Sequence, residues 1–173
     1  MSVLIYTGEL DSANIQSSGA DKAFLSRLEE IYDKVLRDKG CVTDLTKDIE
    51  ISLTFLDSQK MREINNEYRN VDEPTDVLSF PLLESEDGLF TPPDDWEVLP
   101  IGDIMVCPEI VKKNAAENGR THLQETVLVI SHGLLHLIGY DHDTEERQVT
   151  MWREQDDLVR EFFAGYSHND IKA

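Results

Sequence analysis

Cysteine is scarce in this sequence: the two cysteines, Cys41 and Cys107, stand far apart and form no CxxC pair. We therefore expect neither a disulfide-linked scaffold nor a metal site built from thiolates, and both residues are predicted to be buried free thiols. The chain also lacks an apolar run long enough to cross a membrane. Its amino terminus lacks the basic start of a secretion signal, so we expect a cytoplasmic protein without membrane association.

Basic residues are outnumbered, with 16 Lys and Arg against 35 Asp and Glu and a formal net charge of −19. This charge repels a polyanion such as RNA at long range, which disfavours non-specific nucleic-acid binding. The net charge does not exclude a local cationic site, because salt screens surface charges that lie more than about 8–10 Å away. The charge balance favours help from a protein partner.

Length and apolar content indicate one globular domain over residues 1–173, with 40% of the residues hydrophobic. About four strands are indicated by short β-branched or aromatic runs, namely Val3–Thr7, Ile49–Leu56, Val77–Leu83 and Ile101–Cys107. About five helices are indicated by helical apolar spacing, namely Asp21–Arg37, Ser58–Tyr68, Pro108–Asn118, His122–Leu137 and Thr144–Phe163. This mixture predicts an α/β (α+β) fold. The stretch from Glu84 to Pro100, which is rich in acidic residues and proline, is predicted to be an exposed loop.

The segment from Thr126 to Ile138 is apolar on nearly every side, which predicts a buried central helix. Three of the five histidines fall within eleven residues at its end, at His132, His136 and His142. His132 and His136 are four residues apart, so on a helix they lie one turn apart on one face and can grip one ion.

The third histidine can join them only if the chain turns back. Continued as a helix, the six residues after His136 would carry His142 about 240° round the axis. Gly139 supplies the turn, because glycine adopts the left-handed conformation at a helix end without a Cβ penalty. Three neutral imidazoles without a fourth protein ligand predict an open catalytic site for one Zn²⁺ ion, or for another divalent transition metal.

Two less specific interpretations stay open for these histidines. Paired histidines on a buried helix can be hydrogen-bonded core residues, and an ion held by three histidines can be purely structural. Three histidines at this spacing around a glycine favour metal binding. The remaining two, His122 and His168, are predicted to be surface residues and not ligands.

The spacing HxxxHxxGxxH is that of the metzincin proteases, but Gly133 stands where their catalytic glutamate follows the first histidine. Without that glutamate, the usual general base for peptide hydrolysis is missing. A metalloprotease is therefore the least favoured function.

Three segments carry a resemblance to a known family: NNEYRNVDEPTDVLSFP, IGDIMVC and HGLLHLIGYDH. They closely resemble the YbeY family of bacterial rRNA maturation factors, described as single-strand-specific, metal-dependent endoribonucleases. The resemblance is strongest over residues 49–163 and implies a mixed sheet with the histidine helix packed against it. It also implies a role in maturation of the 16S rRNA 3′ end and in ribosome quality control, beside the small subunit, ribosomal proteins and a GTPase.

The resemblance further implies which residues act. It assigns the metal, usually zinc, to His132, His136 and His142. It makes Arg69 necessary for activity, so Arg69 and His132 are the predicted catalytic residues. An arginine can grip two phosphate oxygens and stabilise the charge that grows on them.

From the residues alone, Arg69 has a simpler use, since it can pair on the surface with Glu67, Asp72 or Glu73. Three further polar residues near the motifs have two uses as well: Asp76, Ser79 and Asp103. They can orient the histidines, because a metal-bound imidazole donates its second N–H to an acceptor. They can equally cap turns and strand ends.

Two further alternatives stay open: which group attacks the phosphorus, and whether the protein is an enzyme or an assembly factor. Either a metal-activated water or the 2′-hydroxyl of the RNA can attack phosphorus. The rival is a non-catalytic ribosome assembly factor whose ion only holds the fold. An acidic surface that meets basic protein neighbours fits that alternative.

Overall fold

Nine elements of secondary structure make up the part of the chain that the computed structural model describes, residues 2–7, 22–38, 47–82 and 95–166. The strands are β1 (Val3–Thr7), β2 (Asp48–Phe55), β3 (Val77–Pro81) and β4 (Val98–Val106). The helices are α1 (Lys22–Asp38), α2 (Ser58–Arg69), α3 (Pro108–Glu117), α4 (His122–Leu137) and α5 (Glu145–Ala164). The predicted α/β class, with four strands and five helices, is confirmed for these residues. None of these helices combines the length and the apolar character that crossing a bilayer would require.

The strands form one mixed sheet in the order β1-β2-β4-β3. β2 runs parallel to β1 and to β4, whereas β3 pairs with β4 in the antiparallel direction. Parallel neighbours need a long crossover, and α1 lies between β1 and β2 in the chain. The mixed sheet that the resemblance implies is therefore present.

The boundaries of β4 and β3 differ from the prediction. β4 begins at Val98 and not at Ile101, so the last three residues of the predicted acidic loop belong to a strand. They pair with the start of β2, and Leu99 among them is buried in the core. β3 ends at Pro81, and Leu82 is already a bend. Residues 84–94 of the predicted loop lie outside the described residues.

A β-bulge explains why the start of β4 is hard to recognise. Pro100 and Gly102 pair with consecutive residues of β2, which leaves Ile101 without a partner of its own. Side chains alternate along a strand, so the extra residue shifts the alternation by one. Leu99 and Ile104 can therefore both enter the main core, and the sequence LPIGDIMV shows no regular period of two.

Helix α4 lies at the centre of the core, as predicted. Ten of its 16 residues are buried, and it packs against β3, β4, α3 and α5. A capping box closes its first turn: Thr121 Oγ1 accepts from Gln124 N at 3.1 Å, and Gln124 Oε1 accepts from Thr121 N at 2.8 Å. The histidines of this helix are thus carried by a rigid, buried element.

Helix α2 packs on the face of β3 that is opposite to the face covered by α4. Met61 of α2 lies in a small buried cluster with Leu78 of β3, whereas the next residue, Ser79, faces α4. Because neighbouring side chains on a strand point to opposite faces, α2 and α4 lie on the two sides of this strand. The carboxyl end of α2, where Arg69 lies, leads into the loop before β3.

Candidate metal centre

His132 and His136 point toward each other from successive turns of α4. Their Nε2 atoms are 3.1 Å apart, and their rings are nearly perpendicular, with centroids separated by 4.7 Å. Both side chains are half-buried. The helix thus holds two ring nitrogens close together at the edge of the core.

The reversal predicted at Gly139 is present and brings in the third histidine. Gly139 has a φ of 93°, its N–H donates to the carbonyl of His136, and the N–H of Tyr140 donates to the carbonyl of Leu135. These two bonds form a Schellman motif, which satisfies the last carbonyls of the helix. After the turn, the ring of His142 lies with its centroid 5.1 Å from that of His136.

One ring nitrogen from each of His132, His136 and His142 lies within 4.8 Å of the other two. In a tetrahedral zinc site with Zn–N bonds of about 2.0–2.1 Å, ligand nitrogens stand about 3.3 Å apart. The first two histidines match that spacing. His142 is exposed and joins them from the turn after the helix. The spacing of the three nitrogens fits one divalent ion.

Hydrogen bonds to the outer ring nitrogens support the same fit. His132 Nδ1 lies 2.9 Å from Oε1 of Gln155, an acceptor, so Nδ1 carries the proton and Nε2 keeps its lone pair. His136 donates to the backbone carbonyl of Tyr140, and the ring nitrogen available for this bond is Nδ1, because Nε2 faces His132. Two lone pairs at 3.1 Å repel each other unless a cation lies between them. This donor arrangement suits a metal ion.

Burial keeps the two helical histidines in the form that binds metal. Loss of hydration lowers the pKa of His132, and the charge of His142 lowers it further, against the opposing effect of the hydrogen bond to Gln155. Loss of hydration likewise lowers the pKa of His136, followed by the charges of the other two histidines. Both imidazoles are therefore neutral near pH 7, as metal ligands must be.

Gln155 was not predicted from the sequence, although a clue was present. It lies on α5, buried to 8% exposure, in a stripe with Met151, Leu158 and Phe162. A polar residue in an otherwise apolar stripe needs a hydrogen-bond partner. The hydrogen-bond partner of Gln155 depends on how α5 packs on α4. The local spacing of residues does not predict that packing.

Of the three polar residues with two possible uses, Asp76 has partners other than the histidines. Asp76 Oδ1 accepts from the N–H of Val77 at 2.8 Å, and its Oδ2 accepts from Nδ2 of Asn114 at 3.2 Å. Its capping role is therefore the observed one, while its charge still raises the pKa of His132. Within the described ranges, neither Ser79 nor Asp103 hydrogen-bonds to a histidine ring.

Arg69 is the last residue of α2 and is exposed. Asn70 ends the helix in the left-handed conformation with a φ of 56°, and its N–H donates to a carbonyl of the preceding turn. The charge of Arg69 lowers the pKa of His132, so the guanidinium lies within electrostatic reach of the histidine cluster although it comes from the other side of the sheet.

The surface ion pairs that offered a simpler use for Arg69 are not formed. Asp72 binds Arg62 instead, with two contacts of 2.8 and 2.7 Å. Nδ2 of Asn65 donates to the carbonyl of Glu73 at 2.7 Å and ties the same loop to α2. In the part of the chain that the structure describes, no hydrogen bond or ion pair engages the Arg69 guanidinium, which stays available for an anion.

The prediction that His122 is a surface residue is wrong. It is half-buried at the start of α4, and its Nε2 is buried without a partner among the described residues. A bond to the carbonyl of Pro108 satisfies its other nitrogen. His122 lies at the far end of α4 from His136 and takes no part in the cluster. His168 lies outside the described residues.

An open cleft of about 600 Å³ adjoins the turn that carries His142. It is lined on one side by the turn residues Gly139 to Asp141 and on the other by Thr144, Arg147 and Thr150 of the α5 start. Arg147 is held by Asp143 at 3.2 Å. The three histidines do not line this cleft, so it is a separate feature of the same turn.

Comparison with known proteins gives consistent matches. Residues 14–163 match the family model described as Endoribonuclease YbeY. Similar relatives carry that same name. The protein from Thermoanaerobacter sp. (strain X514) is 37% identical over 143 residues, 80% of this chain and 90% of the relative, and that from Acetivibrio thermocellus is 39% identical over 117 residues, 64% of this chain and 72% of the relative.

The solution structure of TM1509 from Thermotoga maritima is also similar, with a TM-score of 0.57 and 28% identity. The match covers 99% of this chain and 95% of that one.

Proposed function

Because the chain belongs to the Endoribonuclease YbeY family, we propose that it is a single-strand-specific endoribonuclease that acts in rRNA maturation. In this proposal one domain, residues 1–173, uses one Zn²⁺ ion, or another divalent transition metal, held by His132, His136 and His142. The catalytic residues are Arg69 and His132. The observation that carries the proposal is the convergence of three ring nitrogens within 4.8 Å, with the Arg69 guanidinium within electrostatic reach and without an ion-pair partner among the described residues.

The donor set accounts for the choice of ion and for its chemistry. His132, His136 and His142 would hold the ion as three neutral imidazoles, so a zinc ion there would keep its full charge and would supply polarisation of a phosphate and acidification of water. Gln155 Oε1 lies 2.9 Å from Nδ1 of His132, on the side of the ring away from His136. His142 is exposed, so its side of the centre is open to a substrate.

Arg69 supplies the second positive charge at the phosphate. Its guanidinium can bind two nonbridging oxygens at once and stabilise the charge that develops on them as the phosphorus is attacked. The loop contacts of Arg62 and Asn65 hold the end of α2 in place. A lysine at position 69 would keep the charge but lose the two-point geometry.

The net charge of −19 favours a reaction on the ribosome over a reaction on free RNA. Two local cations can bind one phosphate, but the acidic surface gives little general affinity for RNA. We therefore propose that the protein works in the cytoplasm on the small ribosomal subunit, beside ribosomal proteins and a GTPase that bring the rRNA to it. Maturation of the 16S rRNA 3′ end and ribosome quality control are the reactions proposed.

The test is cleavage of an end-labelled single-stranded RNA and of its duplex, with zinc-loaded protein and with chelator. Wild type is compared with His142→Ala, Arg69→Ala and Arg69→Lys, and with Arg160→Ala as a matched control, because Arg160 is an exposed arginine on α5 that pairs with Asp157 on the same helix. We expect cleavage of the single strand by wild type and by Arg160→Ala. Arg69→Ala should be at least about 100-fold slower, and Arg69→Lys should lie between the two.

The cleavage ends decide the nucleophile. A 5′-phosphate product means that water attacks, and a 2′,3′-cyclic phosphate means that the 2′-hydroxyl of the RNA attacks. Equal cleavage by all variants, or cleavage that survives the chelator, would overturn the proposal.

A second candidate is a non-catalytic ribosome assembly factor with a structural ion, which the acidic surface favours. It predicts that folded, zinc-loaded wild type binds ribosomal particles but cuts neither free RNA nor RNA within those particles. A metalloprotease is disfavoured, because Gly133 offers no general base.

A further inference from the structure

We propose that Gln155 is a positioning residue of the metal centre, which selects the tautomer of His132 that can bind the ion. The inference rests on the metal centre of the proposed function. It adds a residue from a separate helix, 23 positions from His132 in the chain. None of the motifs that carry the family resemblance includes it.

The geometry of the contact is that of a strong, sheltered hydrogen bond. Gln155 Oε1 and His132 Nδ1 are 2.9 Å apart, and Gln155 is only 8% exposed. Water competes poorly for a bond at this depth, so the bond remains formed. Met151 and Leu158, one turn away on each side, are fully or almost fully buried and hold α5 against the core.

The tautomer matters because a neutral imidazole carries a single N–H. If that proton were on Nε2, it would point at Nε2 of His136, 3.1 Å away, and no lone pair would be left for a metal. The carbonyl oxygen of Gln155 places the proton on Nδ1 instead. His132 is thereby prepared for metal binding before the ion arrives.

Gln155 also limits the rotation of the ring. His132 is anchored at its Cβ by the helix and at Nδ1 by the amide of Gln155, so the direction of Nε2 is fixed. His136 has a comparable anchor, since it donates to the carbonyl of Tyr140. Loss of such an outer partner typically weakens metal binding by about 10–100-fold.

A purely structural role would leave a different signature. In that case Gln155 would only fill space between α4 and α5, and replacing it would change stability without changing metal affinity. Met has a similar length and no strong acceptor, so Gln155→Met removes the hydrogen bond while it keeps the volume. Gln155→Glu keeps an acceptor at the same place. Leu158→Met, on the same buried stripe, is the matched control for altered packing.

The experiment is a titration of metal-free protein with Zn²⁺ in competition with a chelating dye, together with ¹⁵N spectra of the histidine side chains of the metal-free protein. We expect the zinc Kd of Gln155→Met to rise about 10–100-fold. The Kd of Gln155→Glu and of Leu158→Met should stay within about threefold of wild type or become tighter. The spectra should show His132 protonated at Nδ1 in wild type, and a mixture of tautomers in Gln155→Met.

The outcomes separate the two proposals. An unchanged Kd for folded Gln155→Met, or a wild-type His132 protonated at Nε2, would overturn the role of Gln155 and leave the metal centre intact. A wild type that binds no zinc would overturn the metal centre itself. If Gln155→Met does not fold, the wild-type spectrum still decides the question, because it shows directly which ring nitrogen of His132 carries the proton.

Discussion

Gly133 of α4 faces Ile104 of β4 so closely that a Cβ on the glycine would stand 3.0 Å from Cγ2 of the isoleucine. It would also stand 3.0 Å from Oγ of Ser79 on β3. The histidine helix therefore lies unusually close to two strands at the residue that follows His132. Metzincin proteases carry their catalytic glutamate at this position, and here the sheet occupies the space that such a side chain would need.

Adding a methyl group at this contact should cost stability. Gly→Ala within a helix normally gains about 1 kcal/mol, but an overpacked core typically loses about 1–3 kcal/mol. We expect Gly133→Ala to lower the free energy of unfolding by about 1 kcal/mol, measured by urea denaturation of the metal-free protein.

Ser79→Ala provides the control, because it removes one of the two nearest atoms that the new methyl group would meet. In that background the cost of Gly133→Ala should fall by at least about 0.5 kcal/mol. Strict additivity of the two substitutions, or a full stabilisation by Gly133→Ala alone, would contradict the contact.

Zinc should stabilise the fold through the three histidines. An ion at 100 times its Kd adds about 2.7 kcal/mol, which corresponds to a rise in Tm of about 5–10 °C for a chain of this size. His142→Ala should abolish the rise and leave the Tm of the metal-free protein almost unchanged, since His142 is exposed. Scanning fluorimetry with zinc and with EDTA measures both, and His122→Asn, which lies outside the cluster, should keep the full shift. A full shift in His142→Ala would exclude it as a ligand.

His122 should make the metal-free fold sensitive to mild acid. Burial lowers its pKa, and the charge of Lys112 lowers it further, against the opposing bond to the carbonyl of Pro108. The unfolded chain, in which a histidine has a pKa of about 6.5, therefore takes up the proton first. The stabilising effect is complete above about pH 6.5 and is lost as the pH falls through the lower, folded value.

The free energy of unfolding should consequently drop less for His122→Asn than for wild type between pH 7.5 and pH 5. Urea denaturation at both pH values in EDTA measures this drop for each protein. The other titrating groups are the same in both proteins, so their contributions cancel when the two drops are compared. An equal drop in the two proteins would show that His122 is not desolvated in solution.

The thiol of Cys107 should be inert in the native protein. Burial raises its pKa, and the residue is 0% exposed in the small cluster beneath α2. In a Cys41→Ser protein, in which Cys107 is the only thiol, reaction with a disulfide reagent at pH 8 should be at least about 100-fold slower without urea than with it. A fast reaction in native buffer would mean that α2 opens readily.

Local patterns were sufficient for most of the fold. Helix α4 follows from its apolar composition and its capping residues, and the turn after it follows from Gly139. Gln155 could not be assigned in the same way, because its partner depends on how two helices pack. The position of Arg69 near His132 depends on the sheet that separates α2 from α4, and in the sequence analysis it came from the family resemblance.

The bulge in β4 determines how this strand tolerates insertions and deletions. Removal of Ile101 would take out the extra residue, so β4 would pair with β2 without interruption, and Leu99 would keep Ile49 as its partner and its place in the core. Removal of a regularly paired residue such as Asp103 would instead shift the alternation, and the residues on one side of the deletion would exchange their buried and outer faces. A one-residue deletion is thus best tolerated at the bulge, where it costs one core side chain, and is disruptive elsewhere along the strand.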